Sequence, residues 1–203
     1  MIIVGKSEAA LVMIQDILES NSSFPVLEII NNLKIFSTKE YIHTEFKISE
    51  REDWGVSKDG YVLGALLPQT KMKIFEAFEK VYGVEEYINL FHKLSHISQM
   101  ATISNGGLFD AHCYVSAFAK LGNFVSVYNN STISHHCVIG DYVTLCPNSS
   151  LAGNVEVGSG TLIGIGACVK NGVKIGSNCI IGAGAVVVKD IPDNSTVKGN
   201  PAK

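Results

Sequence analysis

The sequence predicts a small parallel α/β unit followed by a parallel β-helix, and two observations carry that reading. From Ile97 a large apolar residue recurs every six positions: Ile97, Ile103, Phe109, Val115 and onward to Ile181 and Val187. Four positions after each sits a small or slim residue, from Ala101, Gly107 and Cys113 to Ala185 and Ile191. A fixed period kept over half a chain marks stacked coils. Six residues suit one short strand and its turn, so three repeats close a triangular coil of eighteen residues. The large residue points inward and the small one fits near the corner. Read without a break to the end of the chain, the period gives about five coils and a prism roughly 25 Å tall. The second observation is that apolar residues before Ile97 alternate between strand-like runs and helical spacing, as in a strand–helix–strand unit.

In order, Ile2-Ile3-Val4 reads as a short buried strand, and Ala10, Leu11, Ile14, Ile17 and Leu18 then recur at helical spacing. Val26 to Ile30, behind Pro25, reads as a second strand, and Tyr61 to Ala65 as another. Pro68 opens a helix through about Tyr82 with Met72, Ile74, Phe75, Phe78 and Val81 as its apolar face, and Gly83 ends it. Tyr87 to Phe91 reads as a last short strand before the coils. The expected division is therefore 1–90 for the α/β unit and 91–203 for the repeats. Units of the first kind hold ligands near the first strand–helix turn, here Gly5-Lys6-Ser7.

Composition narrows the function classes. The chain has 203 residues, 16 Lys and Arg against 19 Asp and Glu, and no basic stripe of the sort a nucleic-acid polymer requires. Residues 97–203 hold six Lys, no Arg and five Asp or Glu, a balance compatible with an anionic cofactor. No run approaches the length of a membrane span, and the start lacks a basic, cleavable leader; a cytoplasmic protein with no membrane association is expected. The five cysteines form no Cys-x-x-Cys pair, and Cys113, Cys137 and Cys179 fall on the small inward position, where free Cys acts as a small hydrophobe.

The hexads resemble those of the hexapeptide-repeat acyltransferases, and the resemblance implies that the prism winds as a left-handed parallel β-helix. Within that group the chain is similar to the acetyltransferases that modify bacterial sugar nucleotides or sialic acid, which join a small Rossmann-like domain to the prism in this order. Their first turn reads Gly-x-x-Gly-His-Gly; here it reads Gly5-Lys6-Ser7-Glu8-Ala9-Ala10, so only the first glycine is shared. The resemblance implies that Gly5, Lys6 and Ser7 bind the nucleotide of the substrate, with Lys6 in place of some of the lost amides.

The stretch Ile133-Ser134-His135-His136-Cys137-Val138-Ile139-Gly140-Asp141 resembles the family segment in which a catalytic histidine precedes Asp/Glu-Cys-Val-Ile-Gly-Asp/Glu. The match places the general base at His135, with His136 as the alternative. Imidazole titrates near the working pH and suits proton removal from an attacking amine or hydroxyl. The family carries a carboxylate beside its histidine, a role open here to Asp141 or to a neighbouring subunit. Thr144 falls at the family's second histidine and is placed among the cofactor contacts. Gly153, Ile165, Gly166 and Ala183 match positions lining the slot for the pantetheine arm of acetyl-CoA, and Ile165 and Ala183, eighteen apart, stack in register. The ending Val197-Lys198-Gly199-Asn200-Pro201-Ala202-Lys203 resembles the family's segment beside the CoA nucleotide, with Lys198 and Pro201 as contacts.

These features imply N-acetylation of a nucleotide-linked amino sugar for surface glycans, with acetyl-CoA as co-substrate, no metal, and a homotrimer whose active sites lie between subunits. Two alternatives stay within the fold: O-acetylation of sialic acid or another hydroxyl, and a non-catalytic scaffold. A zinc site of three histidines is disfavoured, because His112 and His136 are twenty-four residues apart and fall on different faces.

Overall fold

In a computed structural model, which describes residues 2–4, 8–21, 28–30, 48–49, 60–78 and 83–203, each coil of the repeat region gives one two-residue strand to each of three parallel sheets. Face I has seven strands, from Leu90–Phe91 to Thr196–Val197. Face II has six, from His96–Ile97 to Val186–Val187, and face III has five, from Thr102–Ile103 to Lys174–Ile175. Successive coils pair eighteen residues apart, as Lys120 with Val138 and Leu121 with Ile139. The solenoid has about six turns rather than five, because Leu90–Phe91 pairs with Leu108–Phe109 and extends the repeat one hexad before Ile97. The expected inward residues form one core: Phe109, Val115, Val127, Ile133, Leu145, Ile163, Ile181 and Val187 are all 0% exposed. Burying each such side chain contributes about 1.5–3 kcal/mol, enough to hold the register at every coil. Cys113, Cys137 and Cys179 are buried free thiols at the small position, as expected.

The expected unbroken period fails after Val187. Ile175 bridges to Ile191, and Ile181 pairs with Val197, each sixteen residues apart instead of eighteen. Ile191 therefore takes a strand position on face III instead of the small corner position. The shortened turn is tied down by its own carboxylates: Asp190 accepts the Lys174 N–H at 2.8 Å and Asp193 accepts the Ser177 N–H at 2.7 Å.

From Gly106 to Gly184 each corner puts its second residue in the left-handed region. Asn and Gly fill many of these positions, but His112, Phe118, Phe124, His136 and Tyr142 have φ between 57° and 62°. A side chain there costs roughly 1–2 kcal/mol. Ring packing between coils offsets this, with Phe124 stacked on Tyr142 at 5.2 Å and Phe118 against His136 at 4.9 Å.

The front unit contains β1 (Ile2–Val4), α1 (Glu8–Asn21), β2 (Glu28–Ile30), β3 (Ile48–Ser49), β4 (Tyr61–Leu63) and α2 (Pro68–Phe78). The four strands form a parallel sheet in the order β3-β2-β1-β4. The apolar face of α1 is buried as its spacing predicts, with Ala10, Ile14 and Ile17 at 0% exposure. The end of the second helix beyond Phe78 and the start of the second strand before Glu28 lie outside the described residues. Leu90–Phe91, expected as a strand of its own before the coils, belongs to face I, and Tyr87 makes a single parallel bridge to Tyr61.

The unit docks on face I. Leu108 joins the α1 core, while Phe124 packs with Tyr61, Ile74 and Tyr87 in a second cluster. Between them Lys71 of α2 is 1% exposed. Its Nζ donates to the Phe124 carbonyl at 2.8 Å and to Thr144 Oγ1 at 2.9 Å, and no carboxylate neutralises it among the described residues. Burial drives this ammonium well below the usual lysine value.

Candidate active site

His135 and His136 form the turn at the edge between faces II and III, where both are exposed. Their Nδ1 atoms lie 3.1 Å apart, so one ring donates and the other accepts. His136 is held in the left-handed conformation by Phe118 beneath it, and its ring stands nearly perpendicular to that of His135, at 83°. The partner that orients His135 is thus its neighbour in sequence. Asp141, one expected source of a carboxylate, sits at the edge between faces III and I, where its Oδ1 accepts the Asn123 N–H at 2.6 Å.

The next coil places Gly153 over the His135 ring. A Cβ on Gly153 would fall 2.5 Å from His135 Cε1 and 2.7 Å from Nε2, so only glycine admits the imidazole. The Gly153 carbonyl accepts from Gly172 N at 3.0 Å and from Asn171 Nδ2 at 2.5 Å, which holds the peptide in place. Its N–H donates to no acceptor among the described residues. At the edge between faces III and I the equivalent N–H groups are capped by side chains of the following coil: Asn105 by Asn123, Asn123 by Asp141, Asp141 by Ser159 and Ser177 by Asp193. The Gly153 N–H lacks such a cap and lies beside the histidine, as a donor for developing negative charge would.

A second group of expected residues gathers at the edge between faces I and II. Pro147, Ile165 and Ala183 stack along it, with Gly166 N donating to the Pro147 carbonyl at 3.0 Å and Gly184 N to the Ile165 carbonyl at 2.7 Å. Ile165 is 56% exposed, and a Cβ added at Gly166 or Gly184 would meet nothing within 4 Å. The result is an open apolar ledge suited to the thin arm of a coenzyme. Lys198 and Pro201 cap its far end, where Lys198 and Lys203 exchange backbone hydrogen bonds of 3.1 Å.

The expected residues therefore divide. His135, His136 and Gly153 share one edge of face II; Ile165, Gly166, Ala183, Lys198 and Pro201 share the other. Thr144 joins neither. It is 1% exposed on face I, where its hydroxyl donates to the Leu66 carbonyl and accepts from Lys71. A cofactor cannot reach it, and its expected place among the cofactor contacts is corrected to a pin between the front unit and the prism. Gly5, Lys6 and Ser7 lie outside the described residues. Sequence reasoning passed over Lys71, since no pattern on one helix reveals a lysine destined for burial. It also passed over the column His92, Asp110, Tyr128 and Cys146, whose spacing of eighteen was the available signal. Among the described residues no group of three or more His, Cys, Asp or Glu converges as a metal site would, and no helix is long and apolar enough to cross a membrane.

Residues 154–189 match the family model described as bacterial transferase hexapeptide (six repeats). No curated protein sequence matches the chain significantly. Among solved structures, the acetyltransferase domain of PglB from Neisseria gonorrhoeae FA1090 aligns over 100% of this chain and 97% of its own, at 25% identity and a TM-score of 0.83. The same domain has been solved with acetyl coenzyme A. A histidine-to-alanine mutant of GDP-perosamine N-acetyl transferase from Caulobacter crescentus, in complex with CoA and GDP-perosamine, aligns over 100% of this chain and 94% of its own, at 26% identity and a TM-score of 0.83. WeeI from Acinetobacter baumannii AYE shares the fold, with a TM-score of 0.86 at 24% identity and coverage of 100% and 97%. The resemblance carried by the hexads and the Cys137–Asp141 segment thus extends over the whole chain.

Proposed function

We propose that this chain is an acetyltransferase that moves the acetyl group of acetyl-CoA to the amine of a nucleotide-linked amino sugar, with His135 as general base. The observation that carries the reading is the His135 ring packed against Gly153, whose N–H is unengaged among the described residues, with the ring Nδ1 held by His136. With Nδ1–H donated to His136, Nε2 of His135 is left to take the proton of the attacking amine. The Gly153 N–H then stabilises the oxygen of the thioester carbonyl as it gains charge. A neutral amine is a strong enough nucleophile that one base and good positioning suffice. That PglB and the Caulobacter enzyme were crystallised with acetyl coenzyme A or CoA supports the donor, and GDP-perosamine in the latter supports the acceptor class.

The two halves of the expected site occupy opposite edges of face II, so the reading includes a homotrimer with the faces II turned inward. The His135 edge of one subunit then meets the Ile165–Ala183 ledge of the next. Exposed apolar side chains flank this face: Met100 at 58%, Phe118 at 46%, Leu94 at 50% and Tyr114 at 42%. The front unit, 1–90, is read as a Rossmann-like domain carrying the nucleotide at the turn after β1, supported by its parallel order β3-β2-β1-β4; the prism, 91–203, is read as left-handed. Thiol release from acetyl-CoA, measured with GDP- and UDP-linked amino sugars, tests the reading. Release with an amino sugar that falls a hundredfold or more in His135→Ala supports it, and equal rates in that variant remove His135 from the mechanism.

A further inference from the structure

The turn that carries Gly153 is held from both sides. The carbonyl before it, that of Ala152, accepts the Cys137 thiol at 3.2 Å. Burial raises that thiol, so its proton stays on sulfur and is donated. The Gly153 carbonyl accepts Asn171 Nδ2 at 2.5 Å and the Gly172 N–H at 3.0 Å. The Asn154 N–H donates to the His135 carbonyl at 3.0 Å. Around this residue the Gly153 N–H is the backbone group left without a partner among the described residues.

Asn171 stands where it could have closed that N–H. It follows Gly153 by eighteen residues, the relation that Asn123 has to Asn105, Asp141 to Asn123 and Ser159 to Asp141. In each of those turns the later side chain accepts the earlier N–H through oxygen. Asn123 is the direct contrast, being the same residue type: its Oδ1 accepts the Asn105 N–H at 3.1 Å. Asn171 does the reverse and donates to the carbonyl. A carbonyl oxygen only accepts, so the amide nitrogen is the atom that faces it.

We propose that Asn171 is a positioning residue for acetyl transfer: by taking the Gly153 carbonyl rather than its N–H, it fixes the turn and keeps that N–H open for the thioester oxygen. This role rests on the acetyl-transfer reading and deepens it. A donor held by its neighbours before the reaction needs no reorientation as charge develops. The side chains that complete a turn elsewhere in the prism are therefore the harmful ones here. Serine or aspartate in place of Asn171 accepts the Gly153 N–H, as Ser159 and Asp141 accept theirs. Alanine only releases the carbonyl, which Gly172 still holds.

The test compares Asn171→Ala, Asn171→Ser and Asn171→Asp in the full chain. Thiol release from acetyl-CoA, with GDP-perosamine and a UDP-linked amino sugar as acceptors, gives kcat and KM, and melting temperatures are taken beside them. The kcat is expected to fall about tenfold in Asn171→Ala, the effect of one lost hydrogen bond. It falls about a hundredfold or more in Asn171→Ser and Asn171→Asp, the effect of losing one oxyanion donor. KM for acetyl-CoA changes by less than about threefold. Asn171→Ser carries no charge, so its loss does not come from repulsion of the oxyanion. Melting temperatures run in the opposite order, with the serine and aspartate variants at or above alanine, whereas a residue needed only for folding gives one order in both. A crystal structure of Asn171→Ser shows the introduced hydroxyl within hydrogen-bond distance of Gly153 N. Undiminished kcat in Asn171→Ala, serine and aspartate variants as active as alanine, or a hydroxyl turned away from Gly153 N overturns the proposal. Wild type that releases no thiol sinks the acetyl-transfer reading and this role with it. His135-dependent release that is indifferent to the Asn171 substitutions sinks this role alone.

Discussion

Gly153→Ala displaces the candidate base without touching it chemically. The added methyl would sit 2.5 Å from His135 Cε1, where ordinary contact begins at 3.4 Å, so the imidazole must retreat by roughly 1 Å. Gly153 does not have a positive φ, so alanine fits its backbone. The exposed ring is free to turn at a cost of about 0.5–1.5 kcal/mol, which the lower backbone entropy of an unfolded alanine partly offsets. Stability should change by less than about 1 kcal/mol. Activity should not be spared, because a 1 Å misplacement of a catalytic group costs about a hundredfold. The assay is thiol release from acetyl-CoA in a double-mutant cycle with His135→Ala, with acetyl-CoA affinity followed in each variant. If Gly153 acts through the ring it accommodates, Gly153→Ala costs about a hundredfold in wild type and less than about twofold once His135 is gone. A hundredfold loss that persists in the His135→Ala background would show that the glycine serves something other than the histidine. Full activity in the single variant would show that the observed ring position is not the working one.

Other outcomes follow from the same geometry. His136→Asn keeps a residue tolerant of the left-handed turn but removes the Nδ1 partner, so kcat should fall about tenfold with melting temperature little changed; undiminished kcat would mean His135 needs no orienting neighbour. Thr144→Val leaves the Leu66 carbonyl and a Lys71 N–H without a partner, and denaturant titration should show a loss of about 1–3 kcal/mol with acetyl-CoA affinity intact. Burial holds folded Lys71 well below the 10.5 of the exposed side chain, so between those values the unfolded chain binds the extra proton. Stability therefore rises with pH across that window. Relative to Lys71→Met, which lacks the proton, the wild type should gain up to about 1.4 kcal/mol per pH unit there, and parallel pH profiles would mean the ammonium is not desolvated as described.

The prism was legible because its inward positions answer to one physical demand repeated at every coil. Phe109, Ile133 and Ile163 must be large and apolar, and a period of six allows no other packing. The period failed at Lys189–Ile191, where side-chain carboxylates rather than core packing set the turn, and carboxylates near a chain's end look alike whether they cap or not. At the site, the Cys137–Asp141 match led to His135, and the geometry put Gly153 beside it. Thr144 misled because alignment carries position and not surroundings: the residue lies on a face that this chain covers with α2.

Along the edge between faces III and I, the side-chain caps on the first residue of the turn point one way. The turn at Asn105 is completed by Asn123, that at Asn123 by Asp141, and that at Asp141 by Ser159, each eighteen residues later in the chain. At this position no coil in the run caps its own N–H; its successor does. A prism growing from the ribosome is therefore always one coil behind its own synthesis, an interval of about 1–4 s at ordinary elongation rates. During that interval the exposed turn is a template for one specific neighbour rather than a general adhesive edge. The molecule has a direction of assembly written into its turns, and the two-residue contraction that brings Asp193 over Ser177 is where that sequence of obligations stops.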